Sequence, residues 1–404
     1  MRALWRRLGT LCRPHVGWYA LLAALALACI GLGAIQTIPP RPGLPADFAA
    51  RQSVWLMLGL VAMGLCTLPH TKTVGQASYA IMGICVVLLT LVILPFMPQN
   101  LVPTVHGTRA WFDLRIMRFQ PSEVGKIAFI LTLAWYLRHR SSFRSLWGLL
   151  VPFGITLVPV VLILREPDLG TVLLFGPTLL FMLIAAGAKL RHIGSILGLG
   201  ALAVGASIAV ALWAPDTMQV LERHHVRRIR STLKLVQGDT SDVHGTSFQQ
   251  YKAMSLIGAG GQRGYGADMS RVLLRFHRMP ESHNDMIFAV IVNRWGLVGG
   301  ATALGLYVML ILSLLLIAAR AKEPFGRLLV VGFAGLLFTQ VFINVGMNLG
   351  LLPIIGITLP FVSYGGSSLL ATFAMLGLAI NVASRRASIV SRPSFEFDRA
   401  AAAA

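Results

Sequence analysis

Charge is what this sequence has least of. Only 12% of its 404 residues are charged, against 56% hydrophobic, and the acids number just 15. So little charge cannot cover a single water-soluble globule, which excludes a soluble single-domain fold. Cysteine is scarce too: Cys12, Cys29, Cys66 and Cys85 show no metal-type spacing, which argues against a disulfide framework or a zinc site. There is no obvious short-period repeat and no appended soluble domain. The opening "MRALWRRLGTLCRPH" holds four arginines and no acid, and lacks the apolar core and small-residue cleavage site of a removable signal peptide.

What the chain has instead is apolar runs. They begin near Trp18, Val54, Tyr79, Val124, Leu146, Gly170, Ile193, Met286, Leu328 and Ser367, ten in all, each approaching the length that crosses a hydrocarbon core of about 30 Å. The runs at Val54, Val124 and Gly170 are shorter than a free span, so each is expected to be a short span, a tilted one, or one extended by flanking polar residues. The expected fold is an all-α polytopic membrane protein of about ten spans. Lys and Arg favour the cytoplasmic side. Placing Arg2, Arg6, Arg7 and Arg13 inside also places Lys72, Arg138, Arg140, Lys189, Arg320 and Arg385 there, so both termini are expected in the cytoplasm. The domain reading is a cytoplasmic 1–17, a membrane domain over 18–384, and a disordered cytoplasmic tail over 385–404. The large loop 215–285, between spans seven and eight, then lies outside.

The net charge of +20 is topological rather than a nucleic-acid signal, because the basic residues are spread over loops where they meet anionic lipid headgroups. The external loop carries ten Lys and Arg against seven Asp and Glu. Within it, "VRRIRSTLKLV" alternates bases with Val226, Ile229, Leu233 and Leu235, a pattern that suits either a membrane surface or an anionic ligand.

Charges at membrane depth are expensive and are kept mainly when paired or used. Three groups stand out. Glu123 and Lys126 share a face at the start of a span. Arg165, Glu166 and Asp168 fill the turn between two spans, where Asp168 suits a helix cap. Glu281, His283 and Asp285 precede the eighth span, where a cap or a favourable helix dipole would also explain them. Each alone reads equally well as an ion pair or a cap. On the topology above all three reach the same external side, where a shared cavity would hold the groups that deprotonate a hydroxyl and bind a phosphate leaving group.

Several stretches carry a resemblance. "REPDLGT", "PESHNDMIFAVI" and above all "GLLPIIGITLPFVSYGGSSLL" resemble the signature stretches of the SEDS family (shape, elongation, division and sporulation), which includes RodA and FtsW. "GTRAWFDLRIMRFQPSEVGK" and "GTSFQQYKAMSLIGAGGQRGYG" resemble its tryptophan-containing loop and its glycine-rich segment, and the matches run in family order from about 105 to 382. The resemblance implies a peptidoglycan glycosyltransferase that polymerises lipid II, the undecaprenyl-pyrophosphate-linked disaccharide-pentapeptide, at the outer face of the bacterial cytoplasmic membrane. It implies Asp285 as the general base. It places Trp111, Glu123, Lys126, Asp168, Glu281 and His283 among functional or cavity-lining positions, with Lys126 and Arg228 as pyrophosphate ligands. Pro353, Pro360, Ser363, Tyr364, Gly365 and Gly366 suggest a broken helix lining a water-filled cavity, or a structural hinge. The implied partners are lipid II, the growing glycan strand and a class B penicillin-binding protein, in a setting of membrane lipids. The sequence specifies no cofactor; a divalent cation bridging pyrophosphate and a carboxylate is chemically reasonable.

The chain departs from the family pattern at Ala110, where an arginine is usual, at Asn284 within the acidic motif, at Asn293 and Arg294, and at Lys252 and Ala253. Met347 leans towards the elongation branch over the division branch. Two rivals remain, a transporter or lipid II flippase and a non-catalytic scaffold. A transporter often shows paired half-repeats, and none is visible here.

Overall fold

The computed structural model of the chain describes residues 15–39, 47–104, 108–114, 118–140, 142–213, 248–277 and 282–385. Arg228, Glu281, the N-terminal arginines, the "VRRIRSTLKLV" stretch and the tail after 385 lie outside those residues.

Twelve α-helices are described: α1 (Gly17–Thr37), α2 (Phe48–Thr67), α3 (Thr71–Ile93), α4 (Pro121–Leu137), α5 (Leu150–Arg165), α6 (Leu169–Ala186), α7 (Leu190–Trp213), α8 (Phe248–Gly260), α9 (Gly266–His277), α10 (Ile287–Arg320), α11 (Pro324–Asn348) and α12 (Gly366–Ser384). The ten expected spans correspond to α1–α7 and α10–α12. Eight of the described helices are long and apolar enough to cross a membrane; α4, at 17 residues, and α7 are not among the eight. The short apolar run at Val54 is extended by polar residues, since α2 starts at Phe48, capped by Asp47, whose carboxylate accepts from the Ala50 N–H at 3.0 Å. Between α3 and α4 sits a two-residue antiparallel pair, β1 (Phe112–Asp113) and β2 (Arg118–Phe119), with Phe112 opposite Phe119.

Burial ranks the helices. In its most apolar window α11 is 72% buried and α2 only 17%, so α11 is the central pillar and α2 faces lipid along much of its length. Close contacts fix the directions. Along α2 and α12, Gln52 Nε2 donates to the Ser363 carbonyl at 3.1 Å near one end and Asn381 Nδ2 donates to the Cys66 carbonyl at 3.1 Å near the other, so the two helices run parallel. Thr132 Oγ1 of α4 donates to the Ser78 carbonyl of α3 at 3.1 Å. The result gathers the C-terminal ends of α1, α3, α5 and α11 with the N-terminal ends of α2, α4, α6, α10 and α12 at one end of the bundle.

Helix α10 has 34 residues and a non-helical break at Gly296, where φ is +69°. A break there frees backbone groups that a continuous helix would pair internally. The turn 261–265 takes them up: Leu297 N–H donates to the Gly261 carbonyl at 2.8 Å, and Tyr265 N–H donates to the Asn293 carbonyl at 3.0 Å. Gly264 and Gly296 abut so closely that a methyl group on either would strike the other's backbone segment, which is why both are glycine.

Candidate active site

Residues 283–285 form the short turn that leads into α10, and each of their carbonyls is held. Tyr364 N–H donates to the His283 carbonyl at 2.9 Å, and Ser363 Oγ donates to the Asn284 carbonyl at 2.7 Å. Asp285 O accepts from Asn344 Nδ2 at 2.9 Å and from Asn348 Nδ2 at 3.0 Å. Those two asparagines project from the last turns of α11, where an amide inside an apolar pillar must find partners. The Asp285 side chain is half-buried, and a methyl group placed on Gly356 would stand 3.6 Å from its Oδ2. His283 is buried and stacks on Phe48 at 4.5 Å, with Tyr364 edge-on to Phe48 at 5.0 Å.

The segment 349–365 that faces this turn is not a broken helix. It is irregular throughout, with positive φ at Gly350 and Gly356 (81° and 82°) and at Phe361 (65°). Its order comes from hydrogen bonds instead: Leu359 N–H donates to Ser363 Oγ at 2.7 Å, and Asn344 Nδ2 donates to the Ile357 carbonyl at 2.6 Å. Ser363 therefore has its hydroxyl committed to the backbone on both sides. Tyr364 is raised in pKa by burial, an effect opposed by the Arg51 guanidinium that hydrogen-bonds to it.

Asp168 caps α6. Its carboxylate accepts from Thr171 N–H at 2.9 Å, Thr171 Oγ1 at 2.7 Å and Gln120 Nε2 at 3.3 Å. Two residues on, Gly170 abuts the loop that faces the Asp285 turn, since a methyl there would lie 3.1 Å from the Gly356 carbonyl. Glu123 and Lys126 pair at 2.9 Å in the first turn of α4, with both side chains more than nine-tenths covered. Trp111 is half-buried just before β1.

Sequence reasoning named Glu166 within the 165–168 turn without giving it a role, and missed Asn344, Asn348 and Arg51. Glu166 is 1% exposed, and among the described residues neither carboxylate oxygen has a hydrogen-bond partner. Burial first, and then the charge of Asp168, push its carboxyl up to about 9. Asn344 and Asn348 gave a signal as amides in an apolar run, and Arg51 as a cation at the start of a span. The departures have structural partners: Arg294 donates to the Gly33 carbonyl and, at 2.7 Å, to Thr37 Oγ1, while Asn293 Nδ2 donates to the Leu256 carbonyl at 3.1 Å. Among the described residues no three His, Cys, Asp or Glu side chains form a group able to hold a metal ion. A groove of about 870 Å³ between α1 and α10, lined by Trp18, Leu312 and Arg320 among others, lies at the opposite end from Asp285.

The family model FTSW_RODA_SPOVE, described as cell cycle protein, matches residues 19–388. The chain belongs to the SEDS family. Among SEDS relatives, it is 34% identical over 382 residues to a probable peptidoglycan glycosyltransferase FtsW of Nitrosococcus halophilus, covering 91% of this chain and 92% of that one. It is 35% identical over 348 residues to the peptidoglycan glycosyltransferase MrdB of Escherichia coli K12, covering 84% and 88%. Among solved structures it is similar to a chain of a peptidoglycan synthase complex described as coordinating polymerization and crosslinking, with TM-score 0.74, 31% identity, and 90% and 96% of the two chains covered. It is also similar to the rod shape determining protein RodA of Thermus thermophilus, with TM-score 0.63, 29% identity, and 90% and 95% covered.

Proposed function

We propose that this SEDS protein is a peptidoglycan glycosyltransferase that polymerises lipid II, with Asp285 as its general base. The observation that carries the reading is the clamped turn: three consecutive carbonyls, 283 to 285, are fixed by Tyr364, Ser363, Asn344 and Asn348, and the Asp285 carboxylate stands beside Gly356. Fixing a base through its backbone holds its carboxylate in one place, as an oriented proton transfer requires.

In the proposed step the 4-hydroxyl of the acceptor sugar attacks the anomeric carbon of the lipid-linked chain. A new C–O bond forms with inversion as the bond to the pyrophosphate oxygen breaks, the hydroxyl proton passes to Asp285, and lipid pyrophosphate leaves as the anion. Arg51, bound to Tyr364 at the same end, and Arg228 supply positive charge for that leaving group. Lys126 serves either directly or through its pairing with Glu123. Asp168 and Trp111 shape the site rather than react.

The chemistry end of the bundle faces outward in this reading, with both termini in the cytoplasm and the SEDS domain spanning 18–384. The relatives matched carry both division and elongation names at similar identity. We assign the elongation role on Met347, and take a class B penicillin-binding protein as the working partner. The test is polymerisation of purified lipid II by the protein with its cognate transpeptidase, comparing wild type with Asp285→Ala. Glycan from the wild type alone supports the reading. Glycan from both assigns the proton to another group, glycan from neither returns the scaffold reading, and lipid II crossing vesicles without polymer returns the flippase reading.

A further inference from the structure

Helix α9 presents three different faces. Ser270 and Leu274 are buried against the protein. Met269, Val272 and Phe276 are 52%, 61% and 82% exposed, and at 100° per residue they fall in one arc of about 60°. Arg271, Arg275 and Asp268 occupy the remaining arc and are exposed to solvent. Apolar and basic flanks on either side of a buried seam are the pattern of a helix lying in a membrane interface.

Its depth can be read from what holds it. Helix α10, at about 1.5 Å per residue, is near 51 Å long, well beyond a hydrocarbon core of about 30 Å. The break at Gly296 divides it, and the 24 residues from Leu297 to Arg320 suffice to cross alone. Helix α1 ends at the same level, because Arg294 binds Gly33 and Thr37 in its last turns. Leu297 and Val298, immediately after the break, are exposed apolar residues that begin the lipid-facing wall. Helix α9 is fastened at this level twice, by the 261–265 turn stitched into the break and by Arg271 Nη2, which donates to the Gln36 carbonyl at 3.3 Å.

We propose that α9 is a membrane-interface helix, with Met269, Val272 and Phe276 set among acyl chains and Arg271 and Arg275 at anionic phospholipid headgroups of the leaflet at the Asp285 end. That this leaflet is the outer one rests on the proposed orientation; the immersion itself does not. The α9 flank continues the apolar wall of α10, and its guanidinium groups match lipid phosphate in charge and height. Anchoring α9 there also fixes the 261–265 turn, and through it the upper segment of α10 that begins directly after Asp285.

The test uses nanodiscs of mixed phosphatidylethanolamine and phosphatidylglycerol. A nitroxide is placed at Met269→Cys, Val272→Cys or Asp268→Cys after the native cysteines are replaced. Labels at 269 and 272 should relax faster with oxygen than with an aqueous nickel chelate, and the label at 268 should do the reverse. In phosphatidylcholine nanodiscs, and in Arg271→Gln/Arg275→Gln, the preference for oxygen at 272 should fall at least twofold. Should cysteine removal unfold the protein, a photo-crosslinking phenylalanine analogue at 276 in the otherwise native chain should form phospholipid adducts, as the same analogue does at Val298. Nickel access at 272 equal to that at 268, or adducts at 298 with none at 276, would overturn the proposal and mark the face as bare or as a protein contact. Neither readout depends on polymerase activity, so failure here is distinguishable from failure of the Asp285 reading.

Discussion

The side-chain amide of Asn344 donates both to the Asp285 carbonyl, at 2.9 Å, and to the Ile357 carbonyl, at 2.6 Å, so one residue of α11 ties the candidate base to the loop in front of it. Asn344→Ala leaves the Ile357 carbonyl without this donor, at about 1–3 kcal/mol, and leaves the Asp285 carbonyl to Asn348. Because the lost bonds orient the base rather than bind substrate, kcat should fall about tenfold or more while KM stays within about twofold. Steady-state polymerisation of lipid II checks this. An unchanged kcat with a lowered melting temperature would leave Asn344 a purely structural residue.

Glu123 and Lys126 separate structure from chemistry. Each is covered by protein, so Glu123→Gln or Lys126→Met alone strands a buried charge, at a cost of about 3–5 kcal/mol. The double variant should recover most of that stability. If Lys126 also serves the pyrophosphate, the recovered protein stays inactive; a stable double variant with wild-type turnover would confine the pair to packing. Thermal unfolding in detergent and the polymerisation assay together distinguish the two.

Glu166 gives the protein a pH dependence of stability. Its carboxyl moves from an ordinary 4.5 to about 9 in the folded state, so between those values the folded protein holds a proton that the unfolded chain has released. Stability is then full below pH 4.5 and declines as pH rises towards 9, by at most about 1.4 kcal/mol per pH unit. Glu166→Gln should flatten that decline and raise the melting temperature at alkaline pH. Parallel pH profiles for the variant and the wild type would show that Glu166 is not the group responsible.

Gly170 is a spacing residue. A methyl there would lie 3.0 Å from the Ile355 carbonyl and 3.1 Å from that of Gly356, whereas one on Gly176 in the same helix meets nothing within 4 Å. Gly170→Ala should push the loop towards Asp285 and reduce kcat several-fold, with Gly176→Ala as the silent control. Equal rates for the two variants would contradict a loop set by this contact.

The eight helices long and apolar enough to cross a membrane were legible because apolar runs of that length have few other fates in water or lipid. Their starts were less so. Helix α2 begins six residues before Val54, since Asp47 caps it through the Ala50 N–H and Arg51 and Gln52 find partners in the Tyr364 loop that polarity alone does not reveal. The break at Gly296 was invisible in "VNRWGLVGG", because its stability comes from a turn some thirty residues earlier. At the site, the Glu123–Lys126 pairing and the Asp168 cap followed from local spacing. The clamp on 283–285 did not, because Asn344, Asn348 and Ser363 meet it only in the folded bundle. The same holds for Glu166, whose burial is a property of the packing around the turn.

The most direct test of the account is Asp285→Asn, which keeps the side chain's size and the backbone clamp but cannot accept the proton. General-base contributions run to about 10²–10⁴-fold, so glycan synthesis from lipid II should fall by at least about a hundredfold. The melting temperature and lipid II binding should match the wild type. Polymerisation by the folded Asp285→Asn protein within a few-fold of wild type would contradict the account.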